Sequence, residues 1–228
     1  MTTLIGIVAG KGEPSVVLAS DLQGTSERIE DRGEVVLRKK ERGESQKIHV
    51  NDAGDLAVCM TGIHDGNYSA FLYDFIHGNI NFKEAIEKGN SEALFKLNLD
   101  RFNGRMWDNS HVNSLLIATR YDDSPRLWTC WPLGRIEERY FTALGSGSEH
   151  AIDYLQSLNY LCSRDVDADW AIDAAIGALK AASKDVYTSG KDIVVVRKKD
   201  ILKFGDVIRN RHKEAEKEAI REIKDKLK

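Results

Sequence analysis

Thr2 stands directly behind Met1. A second residue this small lets methionine aminopeptidases remove Met1, so the mature chain is expected to begin at Thr2. An N-terminal threonine carries a nucleophile and a base on one residue: its hydroxyl Oγ, and a free α-amine whose ordinary pKa is about 7.7–8.0. Such a pair can attack a carbonyl and take up the released proton, with no metal or organic cofactor. Met-Thr by itself is a weak signal. It gains weight here because the apolar, β-branched run Ile5 to Ala9 follows at once, so a sheet would hold the terminus in place.

Other routes to chemistry are missing from the sequence. It contains no GxSxG, no HExxH and no GxxxxGK[ST], which sets aside serine-hydrolase, zincin and P-loop mechanisms. The six histidines are scattered. Cys59, Cys130 and Cys162 are far apart, form no CxxC pair and have no histidine at metal-ligand spacing, so no metal site is expected. This usage suits a reducing cytoplasm and small buried apolar residues.

The elements that would position Thr2 follow from pattern. Ile5–Ala9 and Ser15–Ser20 flank a Gly-Lys-Gly-Glu-Pro turn, the signature of a hairpin. Residues 24–45 are strongly charged around the apolar island Val35, Val36 and Leu37 and read as an exposed excursion. Lys47–Val50 and Asp55–Met60 form a second hairpin. Helices are expected around Tyr68, Phe71, Leu72 and Phe75, and again around Ala93, Leu94, Leu97 and Phe102, by three- and four-residue steps. Strands return at Val112–Thr119, Arg126–Trp131 and Arg135–Ala143. Helices at about 149–161 and 168–184 precede a last strand, Asp192–Arg197. Blocks of strands and helices, without regular alternation, exclude a doubly wound sheet. They predict an α+β fold of two stacked antiparallel sheets covered by helices.

With 228 residues, 42% hydrophobic and 30% charged, a net charge of −3 and a pI near 6.1, the chain describes an ordinary globular protein. It offers no general attraction to nucleic acid or acidic membranes. No basic and apolar leader opens it, and no apolar run reaches the ~18 residues of a membrane span. A cytoplasmic location is expected. Three prolines and no linker tract predict one domain over 1–205. The Lys/Glu/Arg-rich remainder, 206–228, reads as a solvated helical extension with a narrow stripe of Ile220, Ile223 and Leu227.

Six blocks carry a more specific message. Thr2-Thr3-Leu4-Ile5-Gly6-Ile7, Val17–Asp21, Gln46–Val50, Thr61-Gly62-Ile63, Ala143–Ser148 and Lys184–Gly190 occur in that order over residues 2–197. Together they resemble the opening strand, acidic second strand, lysine segment, Gly turn, GSGS turn and Asp-x-x-(Ser/Thr)-Gly segment of proteasome β subunits and their bacterial HslV relatives. That resemblance implies the four-layer αββα sandwich of N-terminal-nucleophile hydrolases. It also implies a role for each residue. Thr2 is the nucleophile, Lys47 a fixed ammonium beside Oγ that depresses the amine's pKa, and Asp21 the partner of Lys47. The Gly62 N–H faces the oxyanion. Ser146, Asp185 and Thr188, the last in competition with Ser189, surround the amine. Thr25 would bond the backbone of an extended substrate, and Ser45, Met60 and His64 fall on the specificity-pocket walls, Met60 having plain core as its other reading. The implied activity is a threonine peptidase acting on peptide or unfolded polypeptide, without cofactor, in a homo-oligomeric ring with regulatory partners. A connectase-like ligase using the same ester, a small-molecule amide acylase and a silent structural subunit are the alternatives.

Overall fold

The computed structural model describes residues 2–31, 36–44, 46–61, 72–80, 82–87, 114–120, 124–131, 136–158, 165–183 and 191–203, with 23–31 and 36–44 described through their backbone. Twelve strands are described: β1 (Thr3–Ala9), β2 (Ser15–Ser20), β3 (Gln23–Asp31), β4 (Val36–Glu44), β5 (Ile48–Val50), β6 (Leu56–Met60), β7 (Leu115–Thr119), β8 (Arg126–Cys130), β9 (Ile136–Arg139), β10 (Phe141–Gly145), β11 (Asp192–Arg197) and β12 (Ile201–Lys203). The helices are α1 (Phe82–Glu87), α2 (Ser148–Ser157) and α3 (Ala168–Ala182), and residues 72–76 are helical as well.

Period-two alternation sorts the strand residues onto two faces. In the first sheet, ordered β10-β1-β2-β11-β12, Ile5, Ile7, Val17, Ala19, Ile193 and Val195 pack under α2 and α3. Their neighbours Leu4, Val16, Leu18, Val194 and Val196 turn the other way and meet Ile48, Ala57, Cys59, Leu116, Ala118 and Leu127 of the second sheet, ordered β5-β6-β7-β8-β9. That sheet's outer face, with Leu56, Val58, Leu115 and Ile117, lies under Phe75, Phe82 and Ala85. Helix, sheet, sheet, helix is the expected four-layer order. Every described strand pairing is antiparallel.

Helix α3 starts where Asp167 caps it, its side chain accepting from the Trp170 N–H at 2.8 Å. The cap satisfies one of the first-turn donors. An alanine-rich face, Ala171, Ala174, Ala175, Ala178 and Ala182, is buried; such small side chains let the helix lie close on the sheet. Cys59 and Cys130 are buried free thiols, the small apolar role expected of them, and burial pushes Cys59 well above the usual thiol range.

Four expectations need correction or extension. Within the charged stretch 24–45, read as an excursion, β3 and β4 pair in unbroken register from Gln23 with Glu44 to Asp31 with Val36, as a two-stranded sheet of their own. Low β propensity hid it, because ladder bonds between backbones do not need apolar side chains. The run Arg135–Ala143 is two strands in different sheets, β9 pairing with β8 and β10 with β1, with Tyr140 between them. The short α1 and β12 were not anticipated. The helix expected at 93–102 and the terminal extension 206–228 lie outside the described residues.

Candidate active site

The site is built where β1 begins. β1 lies between β10 and β2, so Thr2 is held by a central strand of the sheet. Register places Leu4 opposite Ser20, so the residue after β2, Asp21, comes level with Thr3. Two backbone-linked contacts result: the Thr3 N–H donates to Asp21 Oδ1 at 2.5 Å, and the Asp21 N–H donates to the Thr3 carbonyl at 3.1 Å. The second carboxylate oxygen of Asp21 accepts from Lys47 Nζ at 2.7 Å. Lys47 comes from the other sheet, immediately before β5, and Ile48 anchors that strand between the sheets.

Burial makes this a site of high electrostatic consequence. Asp21 is 0% exposed and Lys47 1%, while Thr2 is 6% exposed. Removing the Lys47 ammonium from water lowers its pKa from the ordinary lysine value; the hydrogen bond and the charge of Asp21 oppose that fall. A buried ion pair is a weak source of net stability but a strong constraint on geometry.

The other side of Thr2 is fixed by the turn after β10. The Ser146 N–H donates to the Thr2 carbonyl at 2.9 Å. Gly145 has φ +97°, and a Cβ there would stand 1.6 Å from the Thr2 carbonyl oxygen. Only glycine allows that approach. Gly147 is closely packed too, since a Cβ on it would meet Thr3 Oγ1 at 2.5 Å and Ala182 at 2.9 Å. The Gly-Ser-Gly turn thus lies directly against Thr2 and Thr3, and the end of α3 backs it.

The sequence carries the same message along its length. A family model described as proteasome subunit matches residues 2–197. The chain belongs to the proteasome subunit family. Curated relatives support the assignment: it is 29% identical to a proteasome subunit beta of Methanopyrus kandleri over 86% of this chain and 85% of that one. It is 28% identical to a proteasome subunit beta 2 of Thermococcus onnurineus over 86% and 88%. A shorter stretch, 31% of this chain and 34% of the other, is 42% identical to a proteasome subunit beta 1 of Thermococcus kodakarensis.

Within this proteasome-family chain, Thr2, Asp21, Lys47 and Ser146 are drawn together. Ser146 takes part through its backbone N–H on the Thr2 carbonyl, a contact that its side-chain chemistry alone does not suggest. Met60 is 5% exposed and packs with Leu56, Val58 and Phe75 under the outer helices. Thr25 lies on β3, paired in register with Arg42. Gly62, His64, Ser45, Asp185, Thr188 and Ser189 fall outside the described residues. Among the described residues no cluster of three or more His, Cys, Asp or Glu could hold a metal ion, and no helix is long and apolar enough to cross a membrane.

Sequence reasoning missed Thr3 and Gly145 as separate contributors. Both had a signal. Once the Ile5–Ala9 and Ser15–Ser20 hairpin is drawn, its register brings Thr3 level with Asp21. A glycine before the Ser-Gly turn marks a place where one backbone closely approaches another.

Proposed function

We propose that this chain is a threonine peptidase that cleaves peptide bonds through an ester on Thr2. The observation that carries the reading is the buried chain of contacts from Lys47 through Asp21 to the Thr3 N–H, the peptide N–H directly after Thr2. In this mechanism, removal of Met1 frees the Thr2 amine. The amine, or a water held by it, accepts the hydroxyl proton as Oγ attacks the scissile carbonyl. The Lys47 ammonium, kept in place by Asp21, disfavours a second positive charge nearby. It thereby depresses the amine's pKa and favours alkoxide character at Oγ. The Gly62 N–H supplies the oxyanion donor, a contact whose loss alone would slow such a reaction by about 10²–10³. The amine then protonates the leaving group, and water hydrolyses the ester.

Asp185 and Thr188, or Ser189 in place of Thr188, complete the surroundings of the amine in this reading. Thr25 bonds the backbone of an extended peptide, and Ser45 and His64 shape its specificity pocket, Met60 being part of the core beneath the outer helices. The names of the archaeal relatives support assembly with further copies into a ring, in which the sites face an enclosed space and partners control access to it. A cytoplasmic location accords with the free thiols Cys59 and Cys130.

The deciding experiment is intact mass after incubation with a peptide epoxyketone, which joins the hydroxyl and the amine of an N-terminal threonine, together with chromatography of a peptide mixture. A single adduct on a chain lacking Met1, and cleaved peptides in its absence, are expected. Unmodified protein and intact peptides would refute the reading. Ligated products in place of cleaved ones would change the acceptor from water to an amine.

A further inference from the structure

The charged ribbon of β3 and β4 is unlike the rest of the fold. The two strands pair over nine residues each, from Gln23 with Glu44 to Asp31 with Val36, roughly 30 Å of ladder. They form a sheet of two strands. Among the described residues no third strand joins it, and no other element packs extensively along it. Pairing within the ribbon uses one side of each strand, so each carries a second row of backbone donors and acceptors on its outer edge. A lone two-stranded hairpin is marginally stable in water, and an open edge is a template for pairing with another chain.

Residue types identify the partner. β3 carries Glu27, Glu30 and Asp31 against Arg28, while β4 carries Arg38, Lys39, Lys40 and Arg42 against Glu41 and Glu44. One outer edge therefore belongs to an acidic strand and the other to a basic one. Two copies related by a two-fold axis would set β3 on β3 or β4 on β4, with strands of like charge opposed, which destabilises a strand pair. A head-to-tail arrangement sets the acidic β3 of one copy against the basic β4 of the next, and heterologous contacts of this form generate rings. We propose that the ribbon joins copies of this chain by edge-to-edge strand addition, residues 27–31 of one copy pairing with residues 36–40 of its neighbour. Ribbons set side by side in the same sense alternate in strand direction, so the new ladder is antiparallel, like the one within each chain. Residues 23–25, close behind Asp21, stay outside the junction and remain with the peptide substrate. The inference deepens the assembly part of the proposed function and rests on it.

Light scattering coupled to gel filtration tests the contact on the full-length protein. Register places Glu27, Asp31, Arg38 and Lys40 on one face of the ribbon. Glu27→Lys/Asp31→Lys leaves both strands basic, and Arg38→Glu/Lys40→Glu leaves both acidic. Each double variant alone should run near the 25.6 kDa of the single chain, while the parent runs as a larger particle. Mixed in equal amounts, the two variants should assemble again, because an acidic edge then meets a basic one between chains. Mixing leaves the charges within each chain unchanged, so this recovery reports contact between copies and not the folding of the ribbon. Melting temperatures show that each variant is folded. If one is not, the parent in rising salt carries the test, since screening should shrink its assembled fraction. Parental assembly of both variants, or assembly of the parent that salt does not weaken, would overturn the contact and leave the ribbon's edges to a peptide or a different protein. A mixture that stays at 25.6 kDa would also overturn it, and would assign the charges to pairing within the ribbon. A parent that runs as a single chain would overturn the contact and the ring together. The readout is size, so the contact stands or falls independently of turnover.

Discussion

Replacing Lys47 by methionine removes a charge from a place that water does not reach. Asp21, at 0% exposure, then keeps the Thr3 N–H on Oδ1 but loses the cation 2.7 Å from Oδ2. Deleting one member of a buried pair destabilises a protein by roughly 3–5 kcal/mol, because the other charge stays behind. For a chain of this size 1 kcal/mol moves the melting temperature by about 2–4 °C, so Lys47→Met should melt roughly 6–20 °C below the parent. Asp21→Asn should fall comparably, since both influences that hold the Lys47 pKa up come from Asp21 and only the burial that lowers it remains. The double variant Asp21→Asn/Lys47→Met carries neither charge. It should recover much of the loss and lie above both single variants, a coupling of at least about 1–3 kcal/mol. All three variants should be inactive. The assay is differential scanning calorimetry at one fixed protein concentration, since association would shift the melting point by itself. Additive losses in the double variant, or a Lys47→Met protein that melts with the parent, would refute the account of the pair.

Thr2→Ala should abolish turnover and epoxyketone labelling without a change in melting temperature, whereas Thr2→Ser should retain part of the activity, as read by peptide chromatography and intact mass. Gly145→Ala should both destabilise and inactivate, because positive φ costs a side chain about 1–2 kcal/mol and a Cβ 1.6 Å from the Thr2 carbonyl must displace it; a displacement near 1 Å is worth about 10²-fold in rate. The lowered Lys47 pKa sets opposite trends at alkaline pH: between that pKa and 10.5 the unfolded chain binds more protons than the folded one, so stability should rise with pH. Over the same window the ammonium is lost and kcat/KM should fall. Light scattering with gel filtration should find an assembly larger than the 25.6 kDa chain, with the protein ending at Gly205 showing whether the terminal extension contributes to it.

The parts of this molecule that were legible in the sequence are those where side-chain pattern and structure obey the same rule. Ser15–Ser20 and Asp192–Arg197 match their strands residue for residue, because the four central positions of each are apolar and both faces are covered. Asp21 and Lys47, 26 positions apart in the chain, were matched to each other by the ordered family blocks; nothing in their spacing would have paired them. The pairing of β3 with β4 was obscured because a backbone ladder can form beneath charged residues such as Arg38, Lys39 and Lys40, whose types do not announce it. The division of Arg135–Ala143 between two sheets turns on Tyr140, whose carbonyl accepts from the Val8 N–H at 2.8 Å. That long-range contact leaves no mark in local periodicity. Met60 shows the limit from the other side: a methionine fits equally a pocket wall and a core, and the apolar neighbours around it are visible only in three dimensions.

The strand order of the first sheet also has a temporal meaning. β1 is flanked by β2 on one side and by β10 on the other, and β2 needs β11 as its second neighbour. Chain emerges during synthesis at about 5–20 residues per second, so roughly 10–40 s separate the appearance of Thr2 from that of Asp192. Within that interval the turn that clasps Thr2 appears first, and only at its end the last internal strand of the sheet, β11. A nascent chain therefore has Thr2 but not yet the frame of strands and turn that holds it. Long-range pairing of this kind slows folding, so the frame around Thr2 closes only after the last internal strand of its sheet, β11, has been made.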